Sequence, residues 1–332
     1  MTDVTPIRRG AARELSLLER AALFKPAAPL PRAEISPAAM IGADAPTPTP
    51  SPSLAGGGED TLAAIPAEFL ARPGEDEDDF TLPEPLADTA AIDRGLLAEN
   101  GMIVPGAPVG PLAEEFRLIK RQLLVTRQRL EAGGVTDDAR TLLVCSARPD
   151  DGKTYCAINL ALSLAAERDT EVLLVDADVA KPDVCRRLGL QPGPGLLDAL
   201  IDADADPEAL VVKTDVPHLS VLAAGTKTAA DTELLASART RAVLARLLAA
   251  NPRRMIVFDS PPALAASPAA VLAMLVGQVM MVVRADRTPE SEVQAAVKLL
   301  DGCAHIGLVL NAVTFVADRH RFGSYYGQEI PA

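Results

Sequence analysis

The sequence predicts an α/β protein built on a mostly parallel, doubly wound sheet with helices on both faces. From about residue 110, short aliphatic runs of strand length alternate with helical stretches, the pattern of a strand, helix, strand repeat. The aliphatic runs lack polar alternation, which suits strands covered on both sides. The chain of 332 residues, 48% of them hydrophobic, is long enough for one well-filled domain with length to spare.

The spare length lies at the start. Residues 1–108 hold 15 of the 28 prolines and 17 acidic against 8 basic residues, so most of the net charge of -13 sits in the first third. Such a composition buries too little apolar surface to offset the entropy of ordering. "APTPTPSPS" (45–53) and "GEDEDDF" (74–80) read as an extended linker and a solvated acidic run. The extension is therefore expected to be mostly disordered, with a short helix possible at 11–24. There "AARELSLLERAALF" places Leu15, Leu18 and Ala22 near helical spacing, either as a docking helix or as a weak helix in a tail.

Residues 109–316 are expected to form the folded domain, beginning with a helix at 110–132. In it Glu114, Arg117 and Lys120 fall at i, i+3 and i+6, nearly on one face, as they would in any solvated amphipathic helix. Strands follow at "TLLVCSA" (141–147), "EVLLVDA" (171–177), "LSVLAAG" (219–225), "RMIVFDS" (254–260), "VMMVVRA" (279–285) and "HIGLVLNAV" (305–313). Helices are expected at 153–167, 240–250, 267–275 and 289–301. Residues 317–332, "HRFGSYYGQEIPA" with its lead-in, read as a flexible tail.

The first strand runs straight into "ARPDDGKT" and then a helix, the setting of a phosphate-binding loop in a P-loop NTPase. Gly152 would let the backbone approach phosphate, Lys153 would reach the β- and γ-phosphates, and Thr154 would hold Mg2+. The helix beginning here directs unpaired N–H groups at the anion. By position the loop contacts run from Pro149 through Asp150, Asp151, Gly152, Lys153 and Thr154 to Tyr155, although Tyr155 is expected to pack on the helix. Arg284 and Asn311, at the ends of two later strands, join them as nucleotide contacts. Ala147 stands where such loops commonly carry their first glycine.

Three carboxylates lie after apolar strands on the same edge. Asp176 and Asp178 follow one strand at a spacing of two, and Asp259 follows another, where a P-loop protein keeps the acid that orients magnesium through water. A single strand-end aspartate reads equally well as a turn or a helix cap. Three beside Gly-Lys-Thr point to an ATP and Mg2+ site.

The set "SARPDDGKT", "VLLVDADVAKPDVCRRLGL", "ELLAS" (233–237) and "MIVFDSPP" resembles the Walker A, A' and B motifs of the bacterial tyrosine kinases, across roughly residues 111–326. The wording of "EEFRLIKRQLL" (114–124) and the Pro-rich extension are most similar to the tyrosine autokinases of exosortase-associated polysaccharide loci. The resemblance implies an ATP-dependent autokinase of exopolysaccharide polymerisation and export. Its catalytic residues would be Lys153, Asp176 as the base for the tyrosine proton, Asp178 as a magnesium-linked carboxylate and Asp259 as the Walker B acid. Thr154, Asp178 and Asp259 would serve the metal, Glu114, Arg117 and Lys120 a homo-oligomer, and Tyr325 and Tyr326 would accept phosphate. The implied partner is a membrane chain-length-determinant (polysaccharide co-polymerase) protein.

The departures are as specific. The tail carries two tyrosines where family members usually have several, and Ala180, followed by Lys181, replaces a common arginine. Relatives usually read Pro-Gly-Glu-Gly-Lys in the loop, so Asp151 takes the place of a familiar acid and Asp150 that of a glycine. Both side chains are expected to point to solvent or a neighbouring subunit, and Asp150 to sit in a left-handed conformation at some cost.

A MinD/ParA-type nucleotide-switched ATPase or scaffold is the alternative. Its loop carries an early second lysine, where this chain has Arg148. Cys145, Cys156, Cys185 and Cys303 lack C-x-x-C spacing and read as buried reduced thiols. With no signal peptide and no run long enough to span a bilayer, the expected place is the cytoplasm, peripheral at the inner membrane through the partner alone. The acidic balance argues against nucleic acid as a partner.

Overall fold

The computed structural model describes residues 89–313, all within the unit Asp79–Ala332. The possible helix at 11–24, the acidic run and both tail tyrosines lie outside the described residues. Seven strands form one sheet: β1 (Thr141–Ser146), β2 (Glu171–Asp176), β3 (Val212–Lys213), β4 (Leu219–Leu222), β5 (Arg254–Asp259), β6 (Gln278–Arg284) and β7 (Ile306–Asn311). Their order is β3-β4-β2-β5-β1-β6-β7, and every pairing is parallel except the short β3 on β4.

Alternation within each buried strand supplies two cores. Leu143 and Cys145 of β1 face one, Leu142 and Val144 the other. The first core is closed by α5 (Leu196–Ile201), α6 (Asp231–Leu235), α7 (Ala238–Ala250), α8 (Pro268–Ala273) and α9 (Glu290–Leu299). The second is closed by α1 (Arg94–Glu99), α2 (Pro111–Ala132), α3 (Lys153–Ala165) and α4 (Val184–Leu188). The six expected strands and the five helices expected from residue 110 onward are all present, each within a few residues of its predicted ends.

The domain boundary differs from the sequence reading. The folded part begins by residue 89, not 109: Ala90 bridges to Thr214, α1 is capped by the Asp93 side chain, and Ile92, Leu97 and Met102 are buried in the second core. Three apolar anchors in a short stretch give no periodicity to detect, and the proline-rich, acidic composition around them masks their signal. The cysteine expectation holds for Cys145, Cys156 and Cys303, which are free and buried, whereas Cys185 is only half-buried. Among the described residues no helix is long and apolar enough to cross a membrane.

Candidate nucleotide and catalytic site

The parallel register brings the predicted residues to one edge. Asp176 and Asp259 are lateral partners on β2 and β5, and Val144 of β1 lies beside Asp259, two residues before the loop that follows β1. The segment after Asp259 crosses under that loop. Ser260 N–H donates to the Val144 carbonyl at 3.1 Å, and Ala263 N–H to the Ser146 carbonyl at 2.8 Å.

The loop turns into α3 at Gly152, whose φ of 98° is left-handed. That φ is what calls for glycine; a Cβ there would also displace the Asn311 amide, whose nitrogen lies 2.1 Å from its place, from its bond to the Asp151 carbonyl. Asp150 has φ of 63°, as its sequence position predicts. Ala147 is fully buried and is not among the positive-φ residues, so this backbone has no need of glycine there.

Asp151 overturns its expectation. It does not face solvent but is 3% exposed, and it braces the loop. Its carboxylate accepts from the Arg148 N–H at 3.1 Å and from the Thr288 hydroxyl at 2.8 Å. Arg284 and Asn311 also reach this loop: Arg284 donates to the Asp150 carbonyl at 3.0 Å and Asn311 to the Asp151 carbonyl at 2.9 Å. Both therefore act here on the loop backbone. Arg148, Pro149, Asp150, Asp151 and Arg287 line a cavity of about 250 Å3 at the loop.

Opposite the loop, Lys153 Nζ lies 2.9 Å from Asp178 Oδ2, a nearly buried ion pair. Asp178 also accepts from the Lys181 N–H at 3.1 Å. Asp176 is anchored at the start of α4, where one oxygen accepts from the Asp183 and Val184 N–H groups, both at 3.0 Å. Its other oxygen accepts from the Asp178 N–H at 3.2 Å. Burial pushes its carboxyl up to about 6, against the lowering by those backbone donors. Because a carboxylate offers about four lone-pair sites, Asp176 keeps one for a further donor.

Asp259 is fully buried, and neither carboxylate oxygen has a hydrogen-bond partner. Burial pushes it up to about 8. Lys153 and the Thr154 hydroxyl pull it down, while Asp176 and Asp178 add to the rise. An orphaned acid beside a hydroxyl and an ammonium is the arrangement a divalent cation satisfies. Among the described residues no group of three or more His, Cys, Asp or Glu side chains could hold a metal alone. The oxygens of a bound nucleotide have to complete such a shell, as Mg2+ at phosphate sites ordinarily requires.

Other predicted residues lie apart. The Tyr155 hydroxyl donates to the Gly101 carbonyl at 2.7 Å, which ties α3 to the amino-terminal strap and removes Tyr155 from the nucleotide contacts. Lys120 is 8% exposed, donates to the Ser163 carbonyl at 3.0 Å and pairs with Glu167 at 2.6 Å. It serves the packing of α2 on α3 and is not available on a free face. Glu114 and Arg117 pair with each other at 2.5 Å on the helix surface.

The sequence reading missed two polar residues. Thr288 sits before Pro-Glu and looks like a helix cap. Lys227, whose ammonium donates to the Ala180 carbonyl, lies far along the chain from the motif it meets and carries no local signal.

Residues 141–289 match a family model described as an AAA domain. The chain is 27% identical over 237 residues to the tyrosine-protein kinase YwqD of Bacillus subtilis, covering 71% of this chain and 94% of that protein. It is 30% identical over 257 residues to the succinoglycan biosynthesis transport protein ExoP of Rhizobium meliloti, covering 72% of this chain but only 31% of that protein's length. Among solved structures, the BceF tyrosine kinase domain superposes with a TM-score of 0.53 at 26% identity, over 68% of this chain and 83% of that one. With the loop, the three strand-end acids and these relatives together, the chain belongs to the family of bacterial tyrosine kinases.

Proposed function

We propose that this chain is an ATP-dependent protein tyrosine kinase that phosphorylates its own carboxyl-terminal tyrosines, Tyr325 and Tyr326, and serves exopolysaccharide polymerisation and export. The observation that carries the reading is the unsatisfied Asp259, set beside Thr154 and the Lys153–Asp178 pair, with the raised Asp176 on the adjacent strand.

Lys153 can keep one N–H on Asp178 and offer the others to phosphate, since an ammonium has three donors. Thr154 and Asp259 would hold Mg2+, which when bound neutralises charge on the transferring phosphoryl group. The tyrosine oxygen bonds to the γ-phosphorus while the bond to the β-phosphate oxygen breaks, its electron pair leaving with ADP. The phenolic proton passes to the remaining site on Asp176, whose carboxyl near 6 makes it a far better base than water and leaves it mostly ionised at neutral pH.

The loop, the Lys153 pair and the buried acids supply positioning and charge, most of what phosphoryl transfer requires. Glu114 and Arg117 remain on the surface of α2 for contacts in a homo-oligomer. A membrane chain-length-determinant protein is the proposed partner, holding the chain at the cytoplasmic face of the inner membrane. The name of the succinoglycan transport relative supports the polysaccharide context.

The test is phosphotyrosine mapping by mass spectrometry after incubation with Mg-ATP, with and without the partner's cytosolic segment. Phosphate on Tyr325 or Tyr326, lost when both are changed to phenylalanine while nucleotide binding persists, is the expected result. Hydrolysis of ATP with unmodified tyrosines would establish the nucleotide-switch alternative instead.

A further inference from the structure

Thr288 lies in the turn between β6 and α9. It does not cap the helix: Pro289 is the N-cap of α9, and no side chain makes a capping hydrogen bond there. Instead its hydroxyl donates to Asp151 Oδ1 at 2.8 Å. The turn that presents it is fixed. The Arg287 and Thr288 N–H groups donate to the Arg284 carbonyl at 3.3 and 3.1 Å, and Ala285 N–H donates to the Asn311 carbonyl of β7 at 2.9 Å. From this frame the loop receives three side-chain donors: Arg284 on the Asp150 carbonyl, Asn311 on the Asp151 carbonyl, and Thr288 on the Asp151 carboxylate. Only the last acts on a charged side chain.

That charge is the hazard in this loop. A carboxylate one residue before Gly152 and two before Lys153 repels phosphate unless its direction is fixed. Both its oxygens are engaged, one by the Arg148 N–H and one by Thr288, and hydrogen bonds to an ionised acceptor are the stronger kind. We propose that Thr288 is a positioning residue for the nucleotide: its hydroxyl holds the Asp151 side chain so that the acid braces the loop instead of facing the phosphates. The inference rests on the nucleotide site, and wild-type binding, measured first, tests that site independently.

The experiment is titration of the full chain with a fluorescent ATP analogue in the presence of Mg2+. Thr288→Val keeps the shape and removes the donor; it is expected to raise Kd by about ten- to a hundredfold, the range for one hydrogen bond to a charged group. Thr288→Ser should restore binding to within about twofold of wild type. Because the defect is a released charge, Thr288→Val should change Kd by less than about twofold on an Asp151→Asn background. Wild-type affinity in Thr288→Val, failure of serine to restore it, or an equal loss in both backgrounds overturns the proposal. Should Thr288→Val not fold, Thr288→Ala in the same two backgrounds gives the same comparison.

Discussion

The two sides of the nucleotide site are finished to different degrees. On the loop side the protein itself holds these acceptors: the Asp150 and Asp151 carbonyls and the Asp151 carboxylate are bound by Arg284, Asn311, Thr288 and the Arg148 N–H. On the acid side Asp259 is buried with both oxygens unpartnered, and two further carboxylates stand beside it. One side is an organised cradle before any ligand arrives, and the other crowds carboxylates around a buried acid that keeps its proton until a cation takes the proton's place. Preorganisation and an unpartnered acid thus meet at one edge, and Lys153 is the residue between them, paired with Asp178 and next to the loop glycine.

If Lys153 joins the two sides, its loss is expected to have the largest effect. Lys153→Met should lower tyrosine labelling by more than about a hundredfold, in line with removal of a transition-state charge donor, as read by phosphotyrosine mass spectrometry. It also strands Asp178, so weaker thermal stability should accompany the loss. Labelling within tenfold of wild type would sever the link between the loop and the acids.

Asp259→Asn should separate activity from stability. Labelling is expected to fall about ten- to a hundredfold, while the metal-free protein becomes more stable, by roughly 3–6 °C at pH 8. The sign follows from the titration. Burial keeps Asp259 protonated in the folded chain up to about pH 8, whereas the unfolded carboxyl ionises near 3.8. A raised acid makes folding less favourable as pH rises, so the metal-free protein should lose stability from about pH 4 to 8 and level off above. Asp176, pushed to about 6, adds its part in the lower half of that window. Melting curves across pH, with and without Mg-ATP, give the measurement. A wild-type profile that is flat or rises over that window would show that the acid side is already satisfied.

The unequal finish also explains what the sequence could reveal. Glycine, lysine, threonine and strand-end acids are legible because their chemistry depends on residue type at short spacing. The continuous apolar strands are legible because a doubly covered sheet leaves no polar alternation. The brace on Asp151 is not legible, because its donors Thr288 and Asn311 come from other strands and turns, and only the register of β1, β6 and β7 brings them together. Lys120 misled for the same reason: helical spacing shares out faces but does not say which face meets α3. The ordered strap with Ile92, Leu97 and Met102 was hidden by the composition of its surroundings, as its anchors contact elements more than 50 residues away, such as Asn159, which accepts from Ile103 N–H at 2.7 Å.

Asp150 gives the smallest and most discriminating test of the finished side. Its φ of 63° lies where a non-glycine residue is strained, by roughly 1–2 kcal/mol for most residues and less for aspartate. Glycine would remove that strain and a negative charge close to phosphate, but it would also give the unfolded and open loop more freedom, worth about 0.5–1 kcal/mol in the other direction. The terms nearly cancel, so Asp150→Gly is expected to tighten Mg-ATP only about two- to fivefold. Asp150→Asn separates the causes, because asparagine accepts the same left-handed backbone without the charge. Tightening in both variants assigns the effect to charge, and tightening in glycine alone assigns it to strain. Unchanged or weaker binding in Asp150→Gly would mean that Arg284, through its bond to the Asp150 carbonyl, already holds the loop so firmly that the residue in the left-handed position no longer matters.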